Sequence, residues 1–252
     1  MRETDHRYTG DAAVHYEAAR SRQMAWAREY TVVDKLCRLM SPGSRILDIP
    51  CGTGRLFPLI QRHGHVVLGG DISVDMLKQA PSCRPRSPAL SGLFRCDARY
   101  LPFSDASFDY VICLRFFHLG IPVPAAVAIL QEFARVAQKG IILHSPLHKQ
   151  NLFSIFADAT AEIFFAGKKA PLELVTQAKK AKNIVKYRLA RFAVVPAESN
   201  TSPDSPSFLC TLPELEAVLG KAGFTIKKSH GAISPFSSKR IYLFERGNPG
   251  ST

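Results

Sequence analysis

Three observations predict an α/β fold, a doubly wound, seven-stranded, mostly parallel sheet with a helical cap inserted late. Short apolar runs alternate with helical patterns along residues 45–144, the signature of parallel β-α-β units covered by helices on both faces. The run "RILDIPCGTGRLFPLIQRHGHVVLGGDIS", residues 45–73, joins a strand to a glycine-bearing loop, a helix and a second strand that ends on an acid. Beyond Pro146 the rhythm breaks into a long basic stretch before two last apolar runs.

Each element follows from its local pattern. Residues 11–40 space apolar side chains by threes and fours, a helical pattern closed by Ser41, Pro42 and Gly43. Strand 45–49, helix 56–62, strand 65–70 and helix 74–79 come next, followed by the Pro/Ser-rich loop "PSCRPRSPALSG". Strand 93–96, a polar turn, strand 108–114, helix 124–137 and strand 140–144 continue the alternation. Residues 147–192 read as helical and basic, "PAESNTSPDSPS" as a loop, and 212–222 as a helix ended by Gly223. Apolar runs at 224–226 and 241–244 close the sheet as a hairpin-like pair. The chain thus divides into an N-terminal helical segment (1–40), a core (41–146), a basic cap and loop (147–207), a completion of the core sheet (208–246) and a tail (247–252).

The 252 residues suffice for a substantial interior, and 46% apolar with 21% charged side chains is ordinary globular composition. The best candidate for a membrane span, residues 119–130, is too short and carries Pro122 and Pro124. The opening "MRETDHRYTG" lacks the apolar centre of a secretory signal, so a soluble cytoplasmic protein is expected. Six cysteines without a CxxC pair indicate neither a disulfide framework nor a zinc site.

A net charge of +12 is spread along the chain but has one dense source, "KKAKNIVKYRLAR" at 179–191. Lys179, Lys182 and Lys186 fall near one helical face, and Ala178, Ala181, Val185, Leu189 and Phe192 form an apolar stripe. Such a face suits an anionic acceptor, an anionic membrane surface or RNA, and equally a plain solvated helix. Against RNA stands the scarcity of interleaved aromatics, only Tyr187 and Phe192.

In the loop, Gly52 and Gly54 allow a tight turn and close approach of a ligand, with the next helix directing free N–H groups at the same place. Asp71, 19 positions after Gly52, can accept both hydroxyls of an adenosine ribose. An adenosine-bearing cofactor is therefore expected. A dinucleotide fits less well, because the place of its third glycine is taken by Phe57. A simple strand-to-helix turn is the alternative.

"ILDIPCGTG", then "GDIS" with "DML", then "CDARYLPFSDASFDYVICLRFFHL" together resemble the class I S-adenosylmethionine-dependent methyltransferases, above all their quinone-ring and other small-molecule members. The resemblance covers about residues 41–145 and implies a Rossmann-like fold, S-adenosyl-L-methionine as cofactor and no metal. It implies that Asp48, Gly52 and Gly54 wrap the methionine part, that Asp71 binds the ribose, and that Ile72 flanks the adenine. Asp97 and Ala98 would read the adenine edge, and Leu114 and Arg115 would line the transfer site. Pro50 stands where the common pattern has glycine; it fixes φ and gives up a donor where strand pairing is ending.

The resemblance also implies an N-terminal helix serving as a lid. Tyr16 and Arg20 share a helical face, Tyr16 to close on the methionine end and Arg20 to pair its carboxylate, with a surface pair as the alternative. A sulfonium methyl is already activated, so positioning, worth about 7 to 11 kcal/mol, replaces a protein nucleophile. His118, in "RFFHL", and His144 are the candidate bases for an acceptor proton; either also reads as a hydrogen-bonded loop histidine. Phe116 and Phe117 read as core. The expected activity is methyl transfer to a small-molecule or lipid-linked acceptor, including an anionic one, by a cytoplasmic protein that can sit at the inner membrane face. A tRNA-modifying methyltransferase and a non-catalytic cofactor-binding partner are the alternatives.

Overall fold

A computed structural model describes residues 8–21, 24–80, 92–117, 121–145, 212–231 and 240–247. Two helices, α1 (Gly10–Ser21) and α2 (Met24–Cys37), precede β1 (Arg45–Asp48), α3 (Phe57–Arg62), β2 (Val66–Asp71), α4 (Val74–Gln79), β3 (Leu93–Arg95) and β4 (Phe108–Cys113). Then come α5 (Val123–Val136), β5 (Ala137–Ser145), α6 (Leu212–Lys221), β6 (Phe224–Gly231) and β7 (Arg240–Arg246). The seven strands lie in the order β3-β2-β1-β4-β5-β7-β6. β1 to β5 pair in parallel, and β7 runs antiparallel to both β5 and β6. The predicted doubly wound sheet is thus present, closed by the predicted terminal pair.

Strands buried on both faces read as unbroken apolar runs, and here the period of two sorts them into two layers. Leu47, Val111, Cys113, Ile141, Leu143 and Phe244 face α5 and α6, packing on Ile129, Leu130, Phe133, Leu215 and Leu219. Their neighbours Ile46, Ile112, Ile142, Ile241 and Leu243 face α2 and α3, packing on Val33, Leu36, Leu59 and Ile60. Phe116 and Phe117 are core residues, as their sequence context suggests.

Helix α5 runs straight into β5: the Ala137 N–H still donates to Phe133 O as the chain turns extended. β5 therefore begins three residues before the predicted strand, and Lys139 Nζ reaches Asp109 at 2.8 Å. Asp109 Oδ2 also accepts from the Arg45 N–H at 2.8 Å, which explains the acid in "FDYV" as a tie between β4 and the start of β1.

The connection from β3 to β4 is anchored as firmly. Phe103 packs edge-on against Phe94 and Phe108, with centroids 5.1 and 4.9 Å away. Arg135, near the end of α5, donates to Phe103 O (2.6 Å) and Leu101 O (3.0 Å) and pairs with Glu132, which accepts from the Leu101 N–H at 2.7 Å. The "LPF" segment is thus clamped to α5.

At the opposite side α1 is tied down over α4: the Gly10 N–H donates to Asp75 Oδ2 at 3.0 Å, and Ser73 Oγ donates to Tyr8 O. The basic cap predicted at 147–207 lies outside the described residues. No described helix is long and apolar enough to cross a membrane.

Gly69 sets how closely α3 can approach β2. A Cβ there would lie 2.3 Å from Phe57 Cζ and 3.0 Å from Cys51 Sγ, and Phe57 is 1% exposed. Gly69→Ala is expected to lower stability by about 1–3 kcal/mol, as overpacking of a dense core does, read from the midpoint of a urea unfolding curve.

Candidate active site

The site assembles at the carboxyl ends of β1, β2, β4 and β5. Ile49 keeps the sheet bond to Ile112 O (2.9 Å), Pro50 follows through a cis peptide, and the Cys51 N–H already donates to Gly70 O at 2.8 Å. Proline thus occupies the one place in this crossing where no donor is called upon. Gly52 and Gly54 both adopt left-handed backbone, φ 55° and 69°, a conformation that side chains other than glycine's rarely take. At Gly54 a Cβ would also lie 2.5 Å from the Phe57 ring.

Asp71 closes this turn from the next strand. Its Oδ2 accepts from the Gly52 N–H and its Oδ1 from the Ser73 N–H, each at 2.9 Å. Burial still pushes its carboxyl above the usual range, against the backbone bonds from Ser73, Gly52 and Ile72. Asp48, at the end of β1 and 3% exposed, is driven further. Desolvation raises it to about 8, Arg55 opposes the rise, and the charge of Asp71 adds to it. Ile72 is half-buried, and its carbonyl accepts from Arg95 Nε at 3.2 Å.

Past β3, Asp97 is gripped by its neighbour. Arg99 Nε donates to both carboxylate oxygens at 3.0 Å and Nη2 to Oδ2 at 2.6 Å, which holds the carboxyl below its usual range. Ala98 is buried beside it. Leu114 is buried after β4, and Arg115 has φ 55°. Left-handed backbone costs a non-glycine residue about 1–3 kcal/mol.

The contacts of Arg115 explain that strain. Its Nε donates to both oxygens of Glu29, at 2.9 and 2.7 Å. Arg55 Nη2 donates to the same carboxylate at 2.8 Å, and His144 Nδ1 lies 3.5 Å from it. Glu29 is 1% exposed. Both guanidinium groups lie over the Trp26 ring, 4.3 Å away for Arg55 and 5.6 Å for Arg115. Tyr16, half-buried, packs beside Trp26 with centroids 6.4 Å apart. One turn of α2, carrying Trp26 and Glu29, is thus bolted onto the tips of β1, β4 and β5.

The structure therefore gathers Asp48, Gly52, Gly54, Asp71 and Ile72 at one turn, and places Asp97 and Ala98 after the neighbouring strand. It sets His144 against Glu29. Arg20 falls in α1 with its side chain outside the described residues, and His118 is outside them altogether. Sequence reasoning missed Trp26, Glu29 and Arg55. A signal existed for Glu29, an acid inside the buried stripe formed by Trp26, Val33, Leu36 and Met40.

This arrangement is the fold of the class I methyltransferases. Among solved structures the chain is similar to the magnesium protoporphyrin IX methyltransferase of Synechocystis PCC 6803 with bound SAH, at a TM-score of 0.55 and 21% identity, over 89% of this chain and 86% of that one. It is also similar to a TehB-like SAM-dependent methyltransferase of Corynebacterium glutamicum, at 0.54 and 15%, over 95% and 100%. Residues 46–140, less than half of the chain, match the family model for a methyltransferase domain. Among curated proteins, the demethylmenaquinone methyltransferase of Beutenbergia cavernae is 36% identical over 100 residues, 39% of this chain and 38% of that protein. The phosphatidylethanolamine N-methyltransferase of Cereibacter sphaeroides is 35% identical over 100 residues, 39% of this chain and 47% of that protein. The chain spans less than half the length of these two relatives.

Two outcomes follow from the buried charges. Glu29→Ala leaves two guanidinium groups without their carboxylate and is expected to destabilise the protein by about 3–5 kcal/mol in denaturant melts. For Asp48, the unfolded chain releases its proton near the ordinary 3.8 while the folded chain keeps it to about 8. The native state then binds more protons across that window, so this group's contribution to stability falls as pH rises through it and is constant on either side. Asp48→Asn is expected to flatten that slope in unfolding curves recorded across the window.

Proposed function

We propose that the protein is an S-adenosylmethionine-dependent methyltransferase that acts on a small-molecule or lipid-linked acceptor. The observation that carries this reading is the bond from the Gly52 N–H to Asp71, which joins a left-handed glycine turn to an acid at the adjacent strand tip. The methyltransferase-domain match over 46–140 covers both. The acceptor class rests on the relatives, whose names point to a quinone precursor and a phospholipid.

The residues fit such a cofactor. Asp71, held by the Gly52 and Ser73 N–H groups, keeps acceptor capacity on its carboxylate for a ribose hydroxyl. Gly52 and Gly54 hold the main chain without side chains in the turn where the methionine end belongs. Asp97 and Ala98 are in reach of the adenine edge in this reading, with Arg99 fixing the carboxylate's orientation. When bound, S-adenosylmethionine supplies an activated methyl group.

The chain's own part is then to bind, orient and keep water out. Trp26 of α2 packs beside Tyr16 of α1 and against the guanidinium groups of Arg55 and Arg115. His144, steadied by Glu29, is the group we assign to receive a proton from a hydroxyl or amine acceptor.

Calorimetry tests the reading. S-adenosylhomocysteine is expected to bind, and Asp71→Ala and Asp97→Ala are each expected to weaken it roughly 10- to 100-fold, the worth of a hydrogen bond to a charged group. Tight NADH binding with no heat from S-adenosylhomocysteine would overturn it.

A further inference from the structure

Charge is unevenly matched around Glu29. One carboxylate serves two guanidinium groups, both largely enclosed, with side chains 11% exposed at Arg55 and 14% at Arg115. Arg115 spends only its Nε on Glu29, and its two Nη groups make no hydrogen bond among the described residues. Arg55 spends Nη2, while its Nη1, sealed from solvent, has no partner among the described residues. A buried guanidinium nitrogen left unbonded is uncommon in a native interior. Asp48 is also close to Arg55, and its burial favours the neutral form.

The location makes this excess useful. Arg55 follows the glycine turn, Arg115 follows β4, and His144 ends β5, so the spare N–H groups sit where strand tips converge. Planar guanidinium donors match the paired oxygens of a carboxylate, and both guanidinium groups lie over the Trp26 ring.

We propose that Arg55 and Arg115, gathered on Glu29 against Trp26, form a subsite for a carboxylate of the bound ligand, taken by the N–H groups that Glu29 leaves over. Its chemistry rests on reading the strand tips as a methyl-transfer site. The carboxylate has two sources, the amino-acid end of the cofactor or an acid group on the acceptor. Glu29 acts here as a positioning residue, because it aims the two arginines without touching the ligand.

Three probes separate these cases in the full chain: S-adenosylhomocysteine, 5′-methylthioadenosine (the same nucleoside thioether without the amino-acid carboxylate) and benzoate. Binding is read by calorimetry and by the fluorescence of Trp26, the single tryptophan of the sequence. If the cofactor supplies the carboxylate, Arg55→Gln weakens S-adenosylhomocysteine at least about tenfold and leaves 5′-methylthioadenosine within about twofold. If the acceptor supplies it, Arg55→Gln leaves both nucleosides unchanged. Benzoate then binds the S-adenosylhomocysteine-saturated protein, alters Trp26 emission, and loses affinity in Arg55→Gln and Arg115→Gln.

Equal binding of every probe by wild type and both variants overturns the subsite, as does an absence of benzoate binding combined with unchanged S-adenosylhomocysteine affinity. Should neither nucleoside bind wild type, the cofactor reading fails. The subsite then stands or falls on benzoate binding to the free protein and its loss in the same variants. Where a glutamine variant does not fold, the lysine variant decides: it keeps the charge and loses the fork, so a several-fold loss supports the subsite and an unchanged affinity overturns it.

Discussion

Moving charge out of water is costly, and the carboxyl edge of this sheet does so repeatedly. The buried acids among the described residues are Glu29, Asp48 and Asp71, and all three lie at that edge. Each is accommodated differently. Asp71 accepts main-chain N–H groups, Asp48 is tipped toward its neutral form, and Glu29 is matched by two arginines. The rest of the architecture holds these three arrangements in register. Parallel pairing of β1 with β2 and β4 brings the strand ends level, and the two apolar layers pack on either face of the sheet.

Local and distant interactions differ in how well they can be read from residues in order. The turn at Gly52 and the place of Asp71 at the next strand tip were legible because both lie within one β-α-β unit, whereas the bond that joins them, from the Gly52 N–H to Asp71, is known only from the fold. α4 was legible to the residue, since Ser73 caps it by accepting the Met76 N–H. The start of β5 was not. Gln138 and Lys139 look like loop, and their strand conformation depends on Lys139 meeting Asp109 across the sheet.

The Glu29 cluster was hidden for the same reason on a larger scale. Its partners are 26 and 86 positions away, and no local pattern announces them. Arg115 adds a second obstacle, because nothing in "CLRFF" signals a left-handed arginine. That backbone is understandable only once its guanidinium is seen to be committed to Glu29. By contrast, Asp97 is close to its partner in sequence, yet it stands in a motif that points to a ligand, so the local pair with Arg99 does not stand out there.

The way the sheet is finished has an evolutionary consequence. β5 and β7 pair directly along six registered positions, from Gly140 with Glu245 to Ser145 with Arg240, although residues 146–239 separate them in the chain. Because the entropy of closing a loop grows only slowly with its length, the part of that interval before α6, residues 146–211, can change in length at modest entropic cost to the pairing, whereas α6 and β6 are fixed by the core and by β7. Natural variation in the length of that one stretch is therefore compatible with a sheet inherited unchanged.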